Sequence, residues 1–222
     1  MRIAAISDLH GNLIDNIEPC ELVFICGDIV PLKIQWDILE SKTWLATVFN
    51  DWVNELPCQR VVFIAGNHDI VFSREYCGDL LPVKAKYLEN SYYDYLSDEG
   101  KVYRIYGTPN CHIFGNWAFM YSDEALEEIY SKIPDNCDVL LSHDAPYGIS
   151  DICFESIYNG EKHLGNPPLY KAISDKSPKY CLHGHLHSSN HQLELLNDTK
   201  VYNTSIVNES YRVAYEPLYL DI

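Results

Sequence analysis

One local pattern recurs along this chain and limits what it can fold into. A short apolar run stops at a glycine or small residue and hands over to Asp, Asn or His. The clearest case is Val61-Val62-Phe63-Ile64-Ala65-Gly66-Asn67-His68-Asp69. Four β-favouring apolar residues predict a buried strand, and Ala65-Gly66 predicts the loop from which three polar side chains emerge. The pattern returns in Arg2–Ile6 followed by Asp8 and His10, and in Glu21–Cys26 followed by Gly27-Asp28. It returns again in Val139–Leu141 before His143 and in Tyr180–Leu182 before His183, Gly184, His185 and His187. In open α/β sheets chemistry collects beyond the carboxyl ends of strands, where all of these side chains fall. Any single fragment also fits a polar turn, a capping Asp or a core histidine. The repetition is what points to a shared site.

Spacing adds expectations about direction. Asp8 and His10 are two apart and share one face if the backbone is extended. His183, His185 and His187 alternate in the same way unless Gly184 turns the chain. Asn67 and His68, being adjacent, point to opposite sides of an extended segment. Asp69 is expected to hold its loop through hydrogen bonds. Between these blocks, the apolar spacing from Leu45 through Val53 predicts an amphipathic helix within residues 34–56. Residues 70–100 read as a helix and turns, with Asn90–Leu96 too irregular for a strand. Val102–Gly107 predicts a strand, residues 110–119 an aromatic loop, and Ser122–Lys132 a helix with an acidic first turn. Residues 148–178 read as a long surface excursion that holds a helix from Tyr170 to Ser174. Val201–Thr204 and Val213–Leu220 read as closing strands. No repeat or linker divides the chain, so residues 1–222 are expected to form a single domain.

Composition excludes several classes. The 222 residues carry 16 Lys and Arg against 32 Asp and Glu, a net charge of −16. Such a chain repels a phosphate backbone, so long nucleic acid is not an expected partner. No apolar run approaches the roughly 20 residues needed to cross a bilayer, so no membrane partner is expected. The eight cysteines contain no C-x-x-C pair, which removes the usual thiolate zinc patterns. With no secretory signal recognisable at Met1–Asp8, the expectation is a cytoplasmic protein with reduced cysteines.

The ordered set Asp8-x-His10, Gly27-Asp28, Gly66-Asn67-His68-Asp69, His143 and Gly184-His185-x-His187 resembles the calcineurin-like metallophosphoesterase superfamily. The blocks span residues 8–187. Together with Gly107-Thr108-Pro109 and Trp117-Ala118-Phe119, they look most like its small single-domain branch, the metallophosphoesterase-domain-containing proteins. The resemblance implies an α/β fold, a four-layer α/β/β/α sandwich of two mixed β-sheets flanked by helices. It further implies two divalent metal ions, with Asp8, His10 and His187 on one and Asn67, His143 and His185 on the other. Asp28 would bridge them, and His68 would be the catalytic residue beside the scissile phosphate. No role is implied for His112, His163 or His183.

This mixed oxygen and nitrogen donor set suits Mn, Fe, Zn or Ni better than calcium, with manganese favoured. The implied activity is a dinuclear metal-dependent phosphoesterase hydrolysing a phosphodiester, for instance a cyclic or other small nucleotide. The reaction would run by in-line attack of a metal-bridging hydroxide. A phosphomonoester or phosphoprotein Ser/Thr phosphatase would use the same site, and a metal-binding scaffold with little turnover is the non-enzymatic alternative. The expected partner is a small phosphate ester.

Overall fold

The structure is a computed structural model that describes residues 1–153 and 162–222. Its first sheet has the order β15-β1-β2-β3-β4, built from β1 (Arg2–Ile6), β2 (Cys20–Cys26), β3 (Cys58–Ile64), β4 (Ala85–Tyr87) and β15 (Leu218–Asp221). Only β15 runs antiparallel to its neighbour. The second sheet comprises β5 (Ser91–Leu96), β6 (Val102–Thr108), β9 (Val139–Ser142), β12 (Tyr180–His183), β13 (Glu194–Leu196) and β14 (Thr199–Asn203). These lie in the order β13-β14-β12-β9-β6-β5, with a parallel centre and antiparallel outer strands. Two small ribbons complete the strands, β7 (Cys111–His112) with β8 (Met120–Tyr121) and β10 (Ile152–Cys153) with β11 (Lys162–His163).

Side-chain alternation explains why the sheets stack. Along β2, Val23 and Ile25 pack with Leu45, Phe49 and Val53 of the helical layer. Leu22, Phe24 and Cys26 face the other way, onto Ile105, Val139, Leu141 and Leu182 of the second sheet. Leu140, Cys181 and Val201 turn outward again to meet Leu126, Tyr130, Leu169 and Ile173. A strand with two apolar faces must be covered on both, and each fully buried large apolar side chain contributes about 1.5–3 kcal/mol. Three apolar cores therefore separate four layers, an α/β/β/α sandwich. One outer layer holds α1 (Ile38–Trp44), a π-helical turn (Leu45–Phe49) and α2 (Asn50–Glu55), together with α3 (Ile70–Arg74). The other holds α4 (Asp123–Tyr130) and α5 (Pro167–Lys176).

Local signals place the helix starts. Ser122 caps α4 by accepting from the Ala125 amide at 3.4 Å, and Asn166 caps α5 by accepting from the Leu169 amide at 3.1 Å. Pro167 occupies the first turn of α5, so that helix starts before Tyr170.

Three expectations are corrected. Residues 91–96, read as irregular, form β5 at the edge of the second sheet. Tyr95 is buried there while Tyr92 and Leu96 stay more than half exposed, so large side chains occupy both faces and mask the alternation. Of Val213–Leu220 only the end enters β15, and Val213 makes an isolated bridge to Val207. The excursion at 148–178 contains β10, β11 and α5, while its residues 154–161 lie outside the described residues. Among the described residues, no helix is long and apolar enough to cross a membrane, and no cysteine forms a disulfide.

Candidate metal centre

The parallel strands β1, β2 and β3 of the first sheet and β9 and β12 of the second each end just before one of the predicted polar blocks. The loops are tied to one another by backbone. The Asp8 amide donates to the Gly27 carbonyl at 3.0 Å, the His10 amide to the Asp28 carbonyl at 2.8 Å, and the Gly184 amide to the His143 carbonyl at 3.2 Å.

The expectation of extended backbone is overturned here. Asp8, His10, Asp28 and His185 have φ values of 57°, 43°, 53° and 70°. Left-handed backbone costs a non-glycine residue of order 1–3 kcal/mol and persists only where the surroundings enforce it. Four such residues in one cluster mark a site that the fold holds against local preference. Asn67 and His68 likewise lie in a turn, so their divergence comes from that turn and not from strand alternation. Gly27 has φ +102°, and a Cβ there would stand 2.5 Å from His143 Nδ1. A Cβ on Gly66 would strike Asp28 Oδ1. Both positions let one loop approach the next.

The loops bring together all eight residues singled out from sequence. Asp8, His10 and His187 offer ligand atoms that all lie within 4.8 Å of one another, and so do Asp8, Asp28 and His143. Asp28 Oδ2 lies 3.7 Å from His10 Nε2 and 3.4 Å from His143 Nε2, so a single carboxylate oxygen neighbours both halves of the cluster. His143 Nε2 is 2.9 Å from Asn67 Oδ1, His187 Nε2 is 3.6 Å from Asp8 Oδ1, and the His143 and His185 rings are 5.1 Å apart. The His185 amide donates to both oxygens of Asp8 at 3.1 Å. His68 stands apart. Its amide donates to Asp28 Oδ1 at 2.8 Å, while its Nδ1 donates to the Gln35 side-chain oxygen at 2.6 Å.

The electrostatics are those of a buried, mutually opposed set. Burial would raise the carboxyls of Asp8 and Asp28, but the neighbouring histidines override it and hold both below the usual carboxylate range. Burial would lower His143, yet the Asp28 and Asp8 carboxylates push it up to about 10. Burial wins at His10 and His185, each lowered to about 4. Both ring nitrogens of His10 and Nδ1 of His187 are buried with no hydrogen-bond partner. Buried imidazole nitrogens without a partner are costly unless a further group meets them. They fit divalent cations with mixed oxygen and nitrogen donors.

Asp69 anchors the loop. Its carboxylate accepts from the Ile29, Val30 and Gly66 amides at 2.8–3.1 Å, and burial together with Asp28 pushes its carboxyl up to about 7. His183 does not join the cluster. Its Nδ1 lies 3.1 Å from the Gly184 carbonyl and burial lowers it to about 4, because the turn after β12 sends His185 and His187 elsewhere.

A cavity of about 430 Å³ opens over Asp28, Asn67, His68, His185 and His187. Its remaining walls include Gln35, Phe114, Trp117, Glu209 and Tyr211. Trp117 lies 4.4 Å from the His68 ring and Tyr211 lies 4.8 Å from that of His10. The loop 110–119, open in sequence between pocket wall and core cover, serves as both. Phe114 and Trp117 line the cavity, and Ala118 and Phe119 are buried. Gln35, Glu209 and Tyr211 sit outside any strand-end pattern and had no sequence signal.

Comparison with known proteins agrees with this architecture. A sequence model of the calcineurin-like phosphoesterase family matches residues 1–189. Human metallophosphoesterase domain-containing protein 1 is 25% identical over 243 aligned positions, covering 100% of this chain and 71% of its own length, and the mouse protein matches equally. Among solved structures, TT1561 of Thermus thermophilus superposes with a TM-score of 0.59 at 12% identity, over 91% of this chain and 88% of its own. The phosphopantetheinyl hydrolase PptH of Mycobacterium tuberculosis gives 0.56 at 13% identity, over 94% and 90%. At those identities the structural likeness is one of fold. The chain belongs to the calcineurin-like phosphoesterase family, whose members are dinuclear metal-dependent hydrolases of phosphoric esters.

Proposed function

We propose that this metal-dependent phosphoesterase is a diesterase acting on a small phosphodiester that carries a flat organic group, such as a cyclic or other small nucleotide. The observation that carries the reading is the charge of the cavity wall. Among the described residues lining it there is no Lys or Arg, and Glu209 adds a carboxylate beside those of the metal centre. A monoester brings two negative charges and a diester one, and like charges brought together disfavour the more highly charged ligand. Nothing basic on the wall offsets the second charge, so the diester monoanion is the better guest. The same argument disfavours long nucleic acid. Phe114, Trp117 and Tyr211 place aromatic rings on the cavity wall, where a flat organic group can pack.

In this reading Asp8, His10 and His187 hold one metal, Asn67, His143 and His185 hold the other, and Asp28 lies between them. When bound, such a pair supplies Lewis acidity and an activated water. The chain's own residues do the rest. Gln35 fixes the His68 ring through Nδ1, which leaves Nε2 to meet the leaving oxygen, a contribution of roughly 10²–10⁴-fold for a positioned acid. The aromatic walls hold the ester and exclude water.

The test is a comparison of kcat/KM on bis(p-nitrophenyl) phosphate and on p-nitrophenyl phosphate with the metal-loaded protein. The diester is expected to be the better substrate, and a preference for the monoester overturns the reading. Asp28→Ala should lose tight binding of at least one metal. Retention of two tightly held ions in that variant would remove Asp28 from its place between them.

A further inference from the structure

Cys111 is a fully buried cysteine that lies outside the apolar cores. Among the described residues Cys26, Cys77, Cys137 and Cys181 sit within the three apolar cores, and Cys20 and Cys58 pack against the first of them. Cys111 is fully buried yet belongs to none of these cores. Its electrostatic surroundings are the carboxylates of Asp144, Asp28 and Asp8. The sulfur makes one hydrogen-bond contact, a long 3.8 Å approach to the Pro109 carbonyl.

The position is fixed by backbone. Cys111 opens β7, its amide donates to the Phe119 carbonyl at 2.9 Å, and the Ala118 amide donates to the Asn67 carbonyl at 3.1 Å. The ribbon carrying the sulfur is thereby tied to the loop carrying Asn67. Cys111 Sγ, one nitrogen of His143 and one nitrogen of His185 all lie within 4.8 Å of one another. A sulfur and two imidazole nitrogens are thereby close enough to converge on a single ion with small side-chain movements.

We propose that Cys111 is a sulfur ligand of the metal held by His143 and His185. The inference rests on the dinuclear reading of the site and adds to it a donor absent from the motif set that suggested that reading. On loading, the sulfur–metal bond forms and the thiol proton passes to solvent, with no change of oxidation state. A thiolate is a soft donor and selects zinc, iron or cadmium over manganese, whereas imidazole and carboxylate alone discriminate less. The second position of this chain would then prefer a thiophilic ion, in contrast to the manganese favoured from sequence.

The test is the absorption spectrum of the full chain loaded with Co²⁺. The wild type should show a near-ultraviolet sulfur-to-cobalt charge-transfer band in addition to visible ligand-field bands, and Cys111→Ala should keep the ligand-field bands and lose the charge-transfer band. In competition, the Cd²⁺-over-Mn²⁺ preference should fall about 10–100-fold in the variant, the range in which a metal site responds to loss of a supporting group. Ligand-field bands without a charge-transfer band in the wild type overturn the proposal, and this arm needs no variant to fold. A charge-transfer band that survives in a folded Cys111→Ala protein also overturns it. Absence of every cobalt band instead removes the metal centre itself, which separates failure of the underlying reading from failure of the sulfur assignment.

Discussion

Gln35 accepts a hydrogen bond from Nδ1 of His68 at 2.6 Å, and this bond aims the opposite ring nitrogen at the metal centre, where Nε2 lies 4.0 Å from Asp28 Oδ2. Gln35 comes from the segment after β2 and His68 from the turn after β3, so two loops fix one ring. Trp117 packs against that ring at 4.4 Å. An imidazole held on two sides loses little orientational freedom when the ester arrives.

Gln35→Ala should therefore lower kcat about tenfold, a fraction of the 10²–10⁴ available to a positioned acid. Metal content should remain that of the wild type, because Gln35 is not among the clustered ligand atoms. His68→Ala should lower kcat further with the same metal content. Steady-state rates beside elemental analysis check both, and loss of metal in His68→Ala would place that ring among the ligands.

Metal loading should release protons. Although burial opposes it, the Asp28 and Asp8 carboxylates raise His143 to about 10, so the metal-free protein holds this imidazole charged at neutral pH. A ligating imidazole must be neutral. Titrating Zn²⁺ into chelator-treated protein at pH 7 should release at least one proton from His143. Calorimetry in two buffers of different ionisation enthalpy measures it, and a buffer-independent heat contradicts the prediction.

The Asp69 carboxylate should be worth more to stability than to contact with substrate. It accepts from three amides in two loops while fully buried. Asp69→Ala leaves those donors unpaired at about 1–3 kcal/mol each before relaxation. We expect a loss of about 3 kcal/mol or more in urea unfolding and weaker retention of metal, since the anchored loops carry Asp28 and Asn67.

A second pairing, beside the ligands but not among them, sets a pH window. His112 Nδ1 donates to Asp144 Oδ2 at 2.8 Å, and Asn166 Nδ2 donates to the same oxygen at 3.0 Å. Burial opposes charge on both partners, but each holds the other charged, raising His112 above 6.5 and lowering Asp144 below 3.8. The raised histidine contributes fully below pH 6.5 and its contribution is lost as pH rises through the folded value. The depressed carboxyl contributes above pH 3.8 and is lost as pH falls through its folded value. The pair thus adds most between these limits. His112→Ala should cost about 1–2 kcal/mol at pH 5.5 and less at pH 9, read from denaturant midpoints.

The linear sequence determined the central strands that end at the site, the residue types at their ends and the family, because each rests on neighbours along the chain. An apolar run such as Val61–Ile64 can only be a buried element, and a Gly-Asn-His-Asp sequence after it can only be a loop. The broad helical layer was legible for the same reason, through the spacing of Leu45, Phe49 and Val53. Edge strand β5 was not, because large residues occupy both of its faces. At the site, alternation failed as a guide. Asp8, His10, Asp28 and His185 adopt left-handed backbone that no local preference favours, enforced by loops that hydrogen-bond one another across the sheet edge. Gln35 against His68, and Cys111 against His143 and His185, join residues tens of positions apart from separate loops. Such pairings exist only once two sheets have stacked, since stacking decides which strand ends share an edge. The choice of chemistry was written in residue types, and its geometry was decided by packing.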